Sequence, residues 1–142
     1  MYYIKTIMKN TIFKLLEYLY YFSLVSLFIL YLFPGSLIGY FLYGNLGQQP
    51  DLIINPIGTS INHLISFICL SSLAFIVRAR ERKFINSFQF LFSISILLEI
   101  LHHFIPNRAF EYYDLFANFI GVIIAYLFIQ LILKIKMKKY EN

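Results

Sequence analysis

The sequence predicts an all-α integral membrane protein: a single domain over residues 1–142, folded as a four-helix bundle of transmembrane spans with both termini cytoplasmic. Three observations lead there. Charged residues are 13% of the chain and hydrophobic ones 60%, with a mean hydropathy of +0.72, whereas a soluble domain carries about a quarter charged residues. Four apolar runs approach the roughly 20 residues needed to cross a bilayer core. Of the 12 Lys and Arg residues, all but Arg108 fall in three segments that the four runs place on one side, and that side is the cytoplasm.

The chain opens with Lys5, Lys9 and Lys14 among apolar residues, a short interfacial lead. The run 15–33 follows, broken only by Glu17, Ser23 and Ser26. It exceeds the apolar region of a secretory signal, and no Ala-x-Ala cleavage pattern follows it, so it is expected to stay as the first span. Pro34-Gly35 ends that helix. Residues 36–46 remain apolar, and Gly35-x-x-x-Gly39 matches a small-residue helix-packing spacing. An interfacial or partly re-entrant segment is the preferred reading there. Residues 48–59 form a polar loop with Pro50, Asp51, Asn55, Pro56 and Gly58.

The second span is 61–77, with Asn62 and His63 at its start. Arg78, Arg80, Arg82 and Lys83 make a basic turn. The third span, 84–101, carries Glu99 near its end, and 102–113 is a loop. The fourth span is 115–133, followed by Lys134, Lys136, Lys138 and Lys139. The basic segments serve orientation and contact with anionic membrane lipids, and no nucleic-acid partner is expected. The lone Cys69 lies inside an apolar run and cannot form an intrachain disulfide; it reads as a small buried hydrophobe.

Against this apolar background the stretch 99–121 is dense in polar groups: Glu99, His102, His103, Arg108, Glu111, Asp114 and Asn118. Such groups at membrane depth face the protein interior or a water-filled cavity and mark function. On the fourth span Asp114, Asn118, Gly121 and Ala125 share one helical face, and on the third Ser95, Glu99 and His102 do the same. With His63 these residues fall near one extracytoplasmic boundary, which suggests a shared pocket where small residues admit a neighbouring helix.

Glu99 and His63 are the candidates for acid–base catalysis, since a buried carboxyl has a raised pKa. Arg108, Asp114, Asn118 and His102 are the candidates for ligand binding. Arg108 lies between Glu99 and Asp114 in sequence, so it either bridges the two carboxylates or clamps an anionic group of an envelope substrate. Asn118 either joins helices or touches substrate. Glu99-x-x-His102 has a spacing that binds metal in helical bundles, but a metal would need further ligands, with His63 and Asp114 the candidates. No metal site and no cofactor are expected.

The pattern Glu99-x-x-His102-x-Phe104-x-Pro106-x-Arg108, then Asp114-x-x-x-Asn118-x-x-Gly121, resembles the VanZ-like family of small bacterial membrane proteins. Leu32-Phe33-Pro34, His63 and Phe67 also fit, and the resemblance runs from about Leu15 to Tyr126. There are departures. His102 stands where the family usually has Gln, and Thr59 and Ser60 stand where an Asp-Lys pair often precedes the histidine. The resemblance implies a multi-pass protein of the bacterial cytoplasmic membrane with an envelope role; the family's namesake is associated with resistance to the glycopeptide teicoplanin. Three readings stay open: a non-catalytic protein that binds a lipid-linked or glycopeptide ligand, a small membrane enzyme acting on an anionic lipid-linked substrate, and a structural partner of a membrane complex.

Overall fold

The computed structural model describes residues 2–51, 53 and 58–141, with side chains described for 10–51, 53 and 58–135. Part of the expected 48–59 loop, including Asn55 and Pro56, lies outside the described residues, as do the side chains of Lys5, Lys9, Lys136, Lys138 and Lys139. The described residues form five α-helices and no strand: α1 (Tyr2–Leu32), α2 (Leu37–Tyr43), α3 (Ser60–Arg78), α4 (Phe88–His102) and α5 (Tyr112–Glu141), with a 3₁₀ turn at Phe84–Asn86. Three stretches are long and apolar enough to cross a membrane: Asn10–Leu32, Ser60–Arg78 and Tyr112–Ile135.

Two boundaries differ from expectation. The lysine-bearing lead is continuous with α1, because no Pro or Gly interrupts 2–32. The third apolar run does not begin as an α-helix. Asn86 is buried, takes the N–H of Lys83 and gives its amide to the Glu81 carbonyl, which winds 84–86 into the 3₁₀ turn. Ser87 then caps α4 by accepting from the Phe90 N–H at 3.1 Å. That leaves α4 with 15 residues, roughly 22 Å at 1.5 Å per residue, short of a hydrocarbon core of about 30 Å.

Residues 34–49 fold back over the ends of α1 and α3. Gly35 takes φ +83°, a conformation open to glycine, and the next N–H, of Ser36, reaches the Leu46 carbonyl at 2.6 Å. Ser36 caps α2 through the Gly39 N–H. A Cβ on Gly39 would stand 1.6 Å from the Gln48 carbonyl oxygen. The Gly35/Gly39 pair thus closes a loop and is not a seam between long helices. Ile38, Phe41 and Leu42 of α2 point outward, as an interfacial segment requires.

Helix contacts run α1 to α3, α3 to α5, α5 to α4 and α4 back to α1, with α3 against α5 the most extensive. The core is a set of stripes. Tyr20, Leu24, Leu27 and Tyr31 line α1 at helical spacing; Phe67, Leu70 and Ala74 line α3; Leu91, Ile94 and Leu98 line α4; Val122, Ala125 and Ile129 line α5. The outward faces are equally apolar, with Phe22, Val25, Ile124 and Phe128 among the exposed side chains. Helices apolar on every side belong in hydrocarbon.

The α3–α5 seam depends on Gly121. Its face is the expected one, and the helix it admits is α3: a Cβ there would lie 2.8 Å from the Leu64 carbonyl oxygen and 2.9 Å from Phe67 Cβ. Bulk at Gly121 therefore pushes α5 from α3, the second apolar run, and not from α4. Cys69 is exposed on α3, not buried as its apolar surroundings suggest.

Candidate functional site

The polar residues converge where α1, α3, α4 and α5 meet, at the end of the molecule that carries the 103–111 loop. α4 contributes Glu99 and His102 from the face it shares with Ser95, α5 contributes Asp114 and Asn118 one turn apart, and α3 contributes His63 from its first turn. All are buried; Glu99 and Asn118 are fully so. Five of the six residues predicted for the site are thus brought together.

Their contacts form one network. His63 presents Nε2 to Asp114 Oδ2 at 3.3 Å and Nδ1 to Glu99 Oε2 at 3.7 Å. His102 Nδ1 lies 3.3 Å from the same Glu99 oxygen. The other Glu99 oxygen accepts the Glu111 backbone N–H at 3.1 Å. Asn118 donates to the Ser95 carbonyl at 3.3 Å and to Glu99 at 3.5 Å. Asn118 therefore joins α5 to α4, the inter-helix role rather than direct exposure to a ligand.

Two residues central to this network lie outside the predicted set. Tyr31, at the end of α1, donates its hydroxyl to Asn118 Oδ1 at 2.8 Å and touches His63 Nδ1 at 3.0 Å. Its ring stacks on His102 at 5.4 Å between centroids, and its carbonyl accepts from His102 Nε2 at 3.1 Å. The available signal was its place in the Tyr20, Leu24, Leu27, Tyr31 stripe, which points inward. The second is Ser60, which donates to Asp114 Oδ1.

Arg108 does not bridge Glu99 and Asp114. Its guanidinium donates to the Leu30 carbonyl at 2.6 Å, the Phe33 carbonyl at 3.4 Å and Gln49 Oε1 at 3.3 Å. The last carbonyls of a helix lack intrahelical partners and carry partial negative charge, so Arg108 caps α1 across 75 residues of sequence. Burial pulls its pKa down, opposed by the charges of Glu99 and Asp114 nearby; it remains a cation. His103 faces outward against Phe104 and takes no part. At the exposed mouth the Glu111 carboxyl is pushed up, by desolvation first and then by the negative charge of Asp114 and Glu99.

A cavity of about 340 Å³ opens onto this network, lined by His63, His102, Arg108, Glu111, Asp114 and Gln49 among others. A smaller one, about 100 Å³, adjoins it between α1, α2 and α3 and shares His63, His102 and Arg108. Glu99 lines neither; it stands behind the histidines. The expectation of no metal rested on too few ligands, and that reason does not survive: one ligand atom each from His63, Glu99 and Asp114 lie within 4.8 Å of one another.

Residues 3–133 match the family model described as VanZ/LLP1. No curated protein and no solved structure matches the chain.

Proposed function

The chain belongs to the VanZ/LLP1 family, and from that premise we propose that it is a multi-pass protein of the bacterial cytoplasmic membrane whose polar cavity binds an anionic, lipid-linked envelope component at the outer face. Binding there alters susceptibility to glycopeptide antibiotics of the teicoplanin type. Both termini are inside in this reading. Four crossings put the N-terminal, 78–83 and C-terminal basic segments on the cytoplasmic side and leave Arg108 outside. The 3₁₀ turn and α4 together, tilted or with local bilayer thinning, complete the third crossing.

One observation carries the proposal: a cavity large enough for a headgroup opens beside the 103–111 loop, with a half-buried arginine on its rim and a buried acid–imidazole network beneath it. A guanidinium suits phosphate and carboxylate. The second reading, a small membrane enzyme on the same substrate class, is favoured by the His63–Asp114 contact, which orients an imidazole as general-base pairs do. In that reading His63 moves the proton at the cavity wall, and Glu99 positions the histidines.

The test compares a deletion strain complemented with parent, Arg108→Lys, Arg108→Gln or His63→Gln, reading membrane abundance, glycopeptide susceptibility and envelope-lipid profile. Binding predicts altered susceptibility with Arg108→Gln and an unchanged lipid profile. Accumulation of one anionic lipid-linked precursor in the deletion and His63→Gln strains selects the enzyme. Parental susceptibility and lipids throughout, with normal abundance, defeat both.

A further inference from the structure

We propose that His63, Glu99 and Asp114 bind one divalent transition-metal ion, of the zinc or manganese class, with an open coordination position facing the cavity. The three residues are buried and offer ligand atoms within 4.8 Å of one another. His63 Nε2 and Asp114 Oδ2, at 3.3 Å, already stand at about the edge of a tetrahedron whose metal–ligand bonds are about 2.0–2.1 Å. One imidazole and two carboxylates form a donor set suited to such ions.

The contacts of the two imidazoles are the second observation. A carbonyl oxygen only accepts, so the contact from His102 Nε2 to the Tyr31 carbonyl places a proton on Nε2. In neutral His102 the lone pair is then on Nδ1, 3.3 Å from Glu99 Oε2. At His63, Nδ1 lies within hydrogen-bond distance of the Tyr31 hydroxyl, at 3.0 Å, and of Asn118 Oδ1, at 3.2 Å. Its other nitrogen, Nε2, faces Asp114 Oδ2 at 3.3 Å. Each carboxylate is thus in contact with an imidazole nitrogen, and imidazole and carboxylate are ligands that one metal ion shares.

Among the described residues, no Lys or Arg is within ion-pair reach of Glu99 or Asp114. One divalent ion supplies positive charge to both carboxylates, and His102 Nδ1, 3.3 Å from Glu99 Oε2, stands by as a fourth donor. Each proposed ligand is also held on its far side, His63 by Tyr31 and Asn118, Asp114 by Ser60, Glu99 by the Glu111 N–H. Outer partners of this kind orient metal ligands.

The site borders the cavity of the reading above but does not depend on that cavity's ligand, and its test has separate readouts. The full chain is purified in detergent without metal-affinity steps and its metal content measured by plasma mass spectrometry. It is then melted after EDTA and after adding back Zn²⁺, Mn²⁺ or Ca²⁺. The expected result is close to one zinc or manganese per chain, a fall in melting temperature with EDTA, and recovery with the transition metal but not with Ca²⁺. Asp114→Asn and His63→Gln lower the metal content at least tenfold, while Glu81→Gln, remote from the site, retains it. A parent chain that purifies with less than about a tenth of an ion and whose melting does not respond to Zn²⁺ or Mn²⁺ overturns the proposal, whatever the variants do. Metal binding with susceptibility unmoved by Arg108 variants would keep the site and reject the envelope reading.

Discussion

The two ends of the molecule solve the same problem, a carboxylate beside hydrocarbon, in opposite ways. At the basic end, Glu17 and Glu81 meet Lys83 Nζ at 2.7 and 2.9 Å, with 47% of the lysine side chain exposed. At the other end, Glu99 and Asp114 meet only histidines within ion-pair reach among the described residues, at 0% and 8% side-chain exposure. A lysine in water is a permanent, solvated partner, and such a pair contributes little to stability. An imidazole has one proton to place and one lone pair to offer, and it is buried here with the acid. The basic end therefore keeps its carboxylates paired with a solvated cation. The other end is built to take a charge that comes from elsewhere, and that is where the cavity opens.

Removing a buried acid should have the largest effect. Glu99→Ala strands His63, His102, Asn118 and the Glu111 N–H together, and breaking one side of a buried pair costs about 3–5 kcal/mol. Thermal melting in detergent is expected to show that loss; a parental melting curve would mean that the network is solvated and the contrast between the ends false. Next comes the seam that brings His63 to Asp114. Gly121→Ala forces a methyl against the α3 backbone, an overpacking cost of about 1–3 kcal/mol. Cross-linking of cysteines introduced at the ends of α3 and α5 should weaken with it, and unchanged stability would mean that the seam is looser than described.

Tyr31→Phe sharpens the comparison from inside the network. The ring and its stacking on His102 persist, but Asn118 Oδ1 and His63 Nδ1 lose the hydroxyl, a cost of about 1–3 kcal/mol for stranded buried groups. The smallest effect is at the basic end: Lys83→Ala should change stability by less than about 1 kcal/mol, while a reporter after Lys139 tests the proposed cytoplasmic orientation. A drop comparable to that of Glu99→Ala would erase the distinction drawn here.

Spacing along a single helix was readable without tertiary information. Asp114, Asn118, Gly121 and Ala125 do share a buried face, as do Ser95, Glu99 and His102, because 3.6 residues per turn leaves no other choice. The gathering of His63 with both acids was also legible, since apolar runs of bilayer length bring polar groups near their ends to common levels. Partners were harder. Arg108 looked like the bridge of Glu99 and Asp114 because it lies between them in sequence, yet it caps α1, whose orphan carbonyls leave no mark in the sequence. Tyr31 was hidden among the chain's 12 tyrosines.

By itself, then, the sequence determined the helices, their apolar surfaces and the faces that carry each polar group, since hydrophobic run length and helical period are local properties. Tertiary structure alone decided which faces meet. It set Gly121 against α3 and not α4, put Arg108 on the carbonyls of α1, and placed His63 between two carboxylates. Those outcomes depend on close approach between helices distant in sequence, where one missing Cβ or one buried donor selects the neighbour, and no periodicity along a single helix encodes that choice.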